Sequence, residues 1–197
     1  GLQNRVPALA EALGVGPEGL AETLRDLPVE RLLEIREVGM TASTVDGVVI
    51  TERTYDALAR RGAAGVPLIA GFNHDEGTLF SSIIPSAAYD ELAPAIAAMT
   101  LDSADTDAYM GMLGEEFPDD DTRRFEQIWN DLFLRGAVAG TQRATRAGAG
   151  GWLYRFDMKA TVPFLGSRLG ATHAAEIAFT FNTVADDSIL NLYDGDD

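Results

Sequence analysis

The 197-residue chain contains no cysteine and only two histidines. The lack of cysteine excludes disulfides, a thiol nucleophile and a thiolate metal site, and it fits a reducing compartment, which slightly favours a cytoplasmic location. No apolar run approaches the roughly 20 residues that a helix needs to span a bilayer. No signal peptide is recognisable either.

The chain is also poor in basic residues. It has 15 Lys and Arg against 31 Asp and Glu, which gives a formal net charge of −16. A surface of this sign repels nucleic acid and anionic lipid, because contacts to phosphate need clustered cations. We therefore expect neither nucleic acid nor a membrane as a partner, and we attribute the excess charge to solubility.

The chain does have enough apolar sequence for a core. Hydrophobic residues make up 46% of it, and they recur along the whole length, which excludes a disordered tail. Its length suits one sizeable domain. Because the sequence begins at Gly1 in a helical pattern and ends at Asp197 in an acidic stretch, we expect a fragment or a processed product.

Most of the chain has helical periodicity. Arg5–Leu13 is a helical stretch that ends at Gly14, and short helices are predicted after Pro17 and Pro28. Further helices are predicted after Thr51, near Ser86, over residues 105–117 and from the Asp119–Asp121 cluster to Ala147. The carboxylates of that cluster suit a helix N-terminus better than a metal site.

Two apolar runs are predicted to be strands. Val66–Phe72 (VPLIAGF) is uninterrupted, which is typical of a parallel strand that is covered on both faces. The second run is Trp152–Met158 (WLYRFDM). The predicted fold class is therefore α/β, rich in helix and with few strands.

Two segments resemble a known family. Val66–Phe80 (VPLIAGFNHDEGTLF) resembles the strand and turn that carry the triad glutamate in type-B carboxylesterases and cholinesterases, where Asp-Glu-Gly follows a Gly-x-Asn turn. Gly170–Phe181 (GATHAAEIAFTF) is similar to the family's Gly-x-x-His-x-x-Glu segment, which carries the triad histidine. Within the family, the resemblance is to para-nitrobenzyl-esterase-like proteins.

Weaker similarities occur in the same order as in the family. They are a Val-Asp-Gly turn at Val45–Gly47, a strand before the histidine loop at Tyr154–Asp157 and a leucine-rich helix at Arg25–Leu33. The resemblance implies that residues 1–197 form a single partial domain, the C-terminal part of an α/β-hydrolase fold. The half that carries the nucleophile and the extreme C-terminus of the family would both be missing.

The resemblance implies that Glu76 and His173 are catalytic residues of a Ser-His-Glu triad. Their order agrees, because an α/β-hydrolase triad runs Ser, then acid, then His along the chain. The histidine takes the serine proton as the hydroxyl attacks the ester carbonyl, and the carboxylate fixes the tautomer of the ring and stabilises the imidazolium. Such a reaction needs neither a cofactor nor a metal.

The nucleophile is not in this sequence. None of its seven serines lies in a Gly-x-Ser-x-Gly elbow, and the family's oxyanion segment is also absent. We therefore expect the chain alone to be inactive, because it lacks both the covalent step and the oxyanion donors. Exposed strand edges would be open to the missing segment or, through self-association, to another copy of the chain.

Several neighbours of the pair are given other roles. His74, the only other histidine, occupies a position that varies in the family, and we interpret it as a surface turn residue. Glu176 falls on the same face as His173 if a helix starts there, and we assign it a supporting structural role. Phe164 and Leu165 could line a substrate pocket or belong to the core.

The leading hypothesis is a carboxylic ester hydrolase that acts on a small-molecule ester. One alternative is a non-catalytic binding or adhesion protein of the cholinesterase-like fold. Such proteins often lose triad residues, so the retention of both Glu76 and His173 argues against it. The other alternative is a short regulatory or assembly protein, which a stable species of about 21 kDa in cells would favour.

Overall fold

The computed structural model describes residues 5–35, 45–61, 65–166, 169–184 and 192–193. The chain divides into two compact units, residues 1–56 and residues 57–197. Helix α4 (Thr54–Arg61) contains the division between them. The prediction of a single partial domain remains a prediction.

The described residues of the first unit include short helices. They are α1 (Arg5–Leu13), α2 (Leu20–Asp26) and α3 (Val29–Glu34). The predicted helices are present, although α2 begins three residues after Pro17, and Pro28 is the N-cap of α3. The predicted turn at Val45–Gly47 is held by Asp46, whose Oδ1 accepts hydrogen bonds from three backbone N–H groups, those of Val48, Val49 and Ile50.

The second unit contains most of the helical residues. Its helices are α5 (Gly77–Ile83), a 3-10 turn (Ser86–Ala88), α6 (Tyr89–Ala97), α7 (Ser103–Glu116), α8 (Asp121–Arg146) and α9 (Ile177–Thr180). The predicted helices near Ser86, over residues 105–117 and up to Ala147 are confirmed. Asp120 caps α8 by accepting a hydrogen bond from Arg123 N at 2.9 Å, so the structural interpretation of the acidic cluster is confirmed.

Both predicted strands form, and they pair with each other. Strand β1 (Leu68–Asn73) lies parallel to β2 (Gly151–Phe156). In their register, Leu68 is paired with Gly151 at one end and Asn73 with Phe156 at the other. Helix α8 immediately precedes β2 and packs against both strands. Their carboxyl ends therefore lie at the same edge of the sheet, as parallel pairing requires.

One face of this sheet is only partly covered. Because side chains alternate along a strand, the face opposite α8 carries Ile69, Trp152 and Tyr154, which are 70%, 58% and 42% exposed. The expectation that β1 is covered on both faces is therefore wrong for this structure. Cover on this face is found at the carboxyl ends of the strands, where Asn73 is 1% exposed and the rings of Phe156 and Phe179 lie 5.3 Å apart between centroids.

The main core of the second unit lies between α6, α7 and α8. Its buried members include Leu113, Phe125 and Ile128, and the ring of Phe125 stacks on Tyr89 with centroids 4.0 Å apart. A second, smaller cluster is formed by Ala160, Leu169, Ala175, Leu192 and Tyr193. Among the described helices, none is both long and apolar enough to cross a bilayer.

A glycine sets the approach of α5 to α8. A Cβ on Gly77 would lie 2.2 Å from the carbonyl oxygen of Glu126 and 2.4 Å from its Cα. The backbone N–H of Gly77 donates to Asn130 Oδ1 at 2.8 Å. Helix α5 can pack this closely only because its first residue has no side chain.

We predict that Leu113→Ala lowers the free energy of unfolding by about 2–5 kcal/mol, because it leaves a cavity at a side chain with 1% exposure. Urea unfolding monitored by circular dichroism measures this. The matched control is Met112→Ala on the same helix, where the side chain is 52% exposed and the change should stay within about 0.5 kcal/mol. Equal effects of the two substitutions would contradict the position of the core.

We predict opposite effects for two Gly→Ala substitutions at helical positions. Gly77→Ala should destabilise the fold by about 1–3 kcal/mol, because the backbone of α8 must move away. Gly111→Ala should stabilise it by about 0.4–1 kcal/mol, since nothing lies within 4 Å of the added Cβ. Chemical unfolding measures both, and a stabilising Gly77→Ala would show that α5 does not pack as described.

Candidate active site

Glu76 lies in the turn between β1 and α5. Glu76 is 4% exposed, and both oxygens of its carboxylate have hydrogen-bond partners. Oε1 accepts a hydrogen bond from the backbone N of Asn73 at 2.8 Å, and Oε2 lies 2.7 Å from Nδ1 of His173. A buried carboxylate is costly unless it is paired, and both oxygens of this one are within hydrogen-bond distance of a nitrogen.

The loop that carries His173 is attached to this turn by backbone pairing. Asp75 and Thr172 form an isolated parallel bridge, in which Asp75 N donates to Ala171 O at 2.9 Å. The side chain of Asp75 makes a second hydrogen bond to the same residue, in which its Oδ2 accepts from Ala171 N at 2.9 Å. Gly170 has a φ of +66°, and a Cβ there would lie 2.2 Å from Asp75 Oδ2, so this approach requires glycine.

The structure thus brings together the two residues that the sequence singled out, 97 positions apart. The His173 side chain is 36% exposed, whereas that of Glu76 is 6% exposed. A carboxylate that faces Nδ1 favours the tautomer with its proton on that nitrogen, which leaves Nε2 as a proton acceptor. The partly exposed imidazole can therefore exchange a proton with a group beside it, while its orientation is fixed from the buried side.

Two aromatic rings lie against the imidazole. The Phe133 ring centroid is 4.6 Å from that of His173, and the Phe80 centroid is 5.1 Å from it. Phe80 in turn stacks on Trp129 at 3.8 Å. These contacts limit rotation of the imidazole, and they give its surroundings an apolar, aromatic character.

A second carboxylate lies close to the pair. Asn73 donates from Nδ2 to Thr172 O and to Glu176 Oε2, both at 2.6 Å. Burial raises the pKa of the Tyr154 phenol, and the negative charges of Glu176 and Glu76 raise that pKa further. Glu176 is the N-cap residue of α9, so its side chain connects the helix that follows His173 to the end of β1.

His74 differs from His173 in its surroundings. Its side chain is 54% exposed, and Nδ1 lies 2.7 Å from Asp75 Oδ1. The interpretation as a surface turn residue fits this position. In the loop before His173, Phe164 packs against the second core cluster, whereas Leu165 is 70% exposed, so the core interpretation applies to the former alone.

A cleft of about 360 Å³ borders the same turn. Asn73, His74 and Asp75 line it together with polar residues of α8, but neither Glu76 nor His173 does. The cleft is therefore not the place from which a substrate would reach the imidazole. In the described part of the chain, no group of three His, Asp or Glu side chains is arranged to hold a metal ion.

Sequence reasoning missed two residues beside the pair. The sequence indicates Asn73 only as part of a Gly-x-Asn turn, and no local pattern predicts its two side-chain hydrogen bonds to Thr172 and Glu176. Ala174 has a φ of +66°, which is strained for a residue with a Cβ, and no local pattern indicates this. The strain lies next to His173, as is common at functional sites.

A comparison of the sequence with models of known protein families identifies the family to which these motifs belong. The carboxylesterase family matches residues 2–191 of the chain. The family suggests an α/β-hydrolase fold, with which a helix-rich structure around parallel strands is consistent. It also supports an enzyme that hydrolyses esters. Because the match covers almost the whole sequence, the chain belongs to the carboxylesterase family, the type-B group that its motifs indicated.

Proposed function

We propose that this chain is the C-terminal part of a serine carboxylesterase, in which Glu76 and His173 are the acid and the base of a Ser-His-Glu triad. The observation that carries the proposal is the 2.7 Å contact between His173 Nδ1 and Glu76 Oε2, together with the burial of the carboxylate. The family match supports the type of reaction.

The pair would supply the base and the acid of the acyl-transfer reaction. Nε2 of His173 takes the proton of a serine hydroxyl as its oxygen attacks the ester carbonyl, and Glu76 stabilises the imidazolium that forms. The imidazolium then returns the proton to the leaving alkoxide, which departs as an alcohol. Water, deprotonated by the same nitrogen, cleaves the acyl-enzyme and restores the serine.

The serine and the oxyanion donors must come from outside these 197 residues, because the sequence contains no Gly-x-Ser-x-Gly. We propose that they lie on a segment that covers the open face of Ile69, Trp152 and Tyr154 and continues the sheet. The exposure of these side chains supports this. Without that segment, the chain would be inactive and its open face and strand edges would favour self-association.

For the substrate, we propose a small-molecule ester with an aromatic or bulky apolar group. Phe80 and Phe133 lie within 5.1 Å of the imidazole, measured between ring centroids, and aromatic rings favour offset or tilted contact with one another. The resemblance to para-nitrobenzyl-esterase-like proteins points to the same class of ester.

We predict that Glu76→Gln and His173→Ala each lower kcat for a chromogenic short-chain ester by about 10²–10⁴-fold, because each removes part of the general base. The complete product of the gene is the protein to assay. The matched control is His74→Ala, which removes the other histidine and should change kcat by no more than about threefold. Near-normal turnover in either triad variant would refute the assignment of that residue.

We also predict that Phe133→Ala lowers kcat/KM for a benzyl ester about tenfold more than for the corresponding ethyl ester, because an apolar wall for the larger group is lost. Steady-state kinetics of the complete gene product with both esters measures the ratio. Phe181→Ala, at a ring that is 71% exposed, serves as the control. If Phe133→Ala reduces both values equally, the ring supports the imidazole and does not select the substrate.

A further inference from the structure

Asn73 connects the strand that carries the acid to the loop that carries the base. It is the last residue of β1 and is 1% exposed. Its Nδ2 donates to the carbonyl oxygen of Thr172, the residue before His173, and to the carboxylate of Glu176, three residues after it. One buried amide therefore holds both ends of the segment 172–176.

The same residue also contacts the acid. The backbone N–H of Asn73 donates to Glu76 Oε1 at 2.8 Å, and Oε2 of that carboxylate receives the imidazole. Asn73 is thus hydrogen-bonded to Glu76 through its backbone and to both flanks of His173 through its side chain. A shift of its side chain relative to the loop would change the distance between the imidazole and the carboxylate.

The chemistry of this position calls for an amide. Both acceptors need a donor, and the NH₂ group supplies two hydrogens. An aspartate of the same shape would place a carboxylate against a carbonyl oxygen and a second carboxylate, and it could not donate when ionised. An alanine would leave Thr172 O, on a fully buried residue, without this partner.

We propose that Asn73 is a positioning residue for the Glu76–His173 pair: its side-chain amide fixes the histidine loop so that the imidazole stays in line with the acid. This inference rests on the proposed esterase function. Asn73 does not touch the reacting atoms, so its removal should lower kcat while KM for a small ester changes little. Misplacement of a catalytic group by about 1 Å costs on the order of 10²-fold in rate.

The first test is Asn73→Ala in the complete gene product, with kcat and KM measured for one short-chain ester. We expect kcat to fall about 10–100-fold and KM to change less than about threefold. Thr106→Val is the matched control, because it removes another buried side-chain hydrogen bond, that of Thr106 Oγ1 to Asp102 O at 2.7 Å, outside the site. Both variants are compared at temperatures at which they are fully folded.

The second test reverses the polarity of one hydrogen bond. Asn73→Asp should lose at least as much kcat as Asn73→Ala, although it creates no cavity. Adding Glu176→Gln should restore about tenfold of that loss, since the new amide can donate to the aspartate. The reference is Glu176→Gln alone. If the inference is correct, Glu176→Gln changes kcat more favourably when residue 73 is Asp than when it is Asn. A residue that only stabilises the fold would show no such coupling in kcat.

The outcomes separate this inference from the proposed function. Asn73 is not a positioning residue if Asn73→Ala keeps normal turnover while Glu76→Gln and His173→Ala abolish it. The same conclusion follows if kcat of the Asn73 variants falls only in proportion to their loss of stability. In both cases the triad assignment stands. If the unaltered complete protein hydrolyses none of the esters, the proposed function fails and this inference fails with it.

Discussion

Parallel pairing of β1 (Leu68–Asn73) with β2 (Gly151–Phe156) is the constraint on which the candidate site depends. It brings two distant parts of the chain to the same edge of the sheet. Beyond β1, an isolated bridge between Asp75 and Thr172 attaches the histidine loop to the turn that carries Glu76, and the side chain of Asp75 adds a hydrogen bond to Ala171 N. The backbone therefore brings Glu76 and His173 close together, and their side chains lie 2.7 Å apart.

Much of this arrangement could be predicted from the sequence, because it depends on local patterns. Helix α8 follows from its periodicity and its acidic start, and the two strands follow from uninterrupted apolar runs. The proximity of Glu76 and His173 was predicted only through the family resemblance. The residues themselves do not indicate it, since a turn carboxylate and a loop histidine are common in any protein.

Other features could not be predicted because they depend on contacts between distant segments. Helix α5 begins at Gly77 without a side-chain cap, so no N-terminal signal marks it, and its position comes from close packing on α8. The positive φ of Ala174 is imposed by the loop around it. The exposed row on the sheet depends on what else packs there, which the strand sequence cannot reveal.

The charge distribution suits a site of this kind. Glu76 is buried and paired, and Glu176 lies nearby, held by the neutral amide of Asn73. Of the two carboxylates, Glu76 contacts the imidazole at Nδ1, and Glu176 is linked to the pair through Asn73. The remaining acidic residues contribute to the net charge of −16.

We propose His173, oriented by Glu76, as the base for a serine that another segment supplies. The most direct measurement is a crystal structure of the complete gene product. We expect Nδ1 of His173 to contact the Glu76 carboxylate and Nε2 to lie about 2.6–3.2 Å from a serine hydroxyl at a strand-to-helix turn. An imidazole turned away from Glu76, or an Nε2 with no serine within reach, would contradict it.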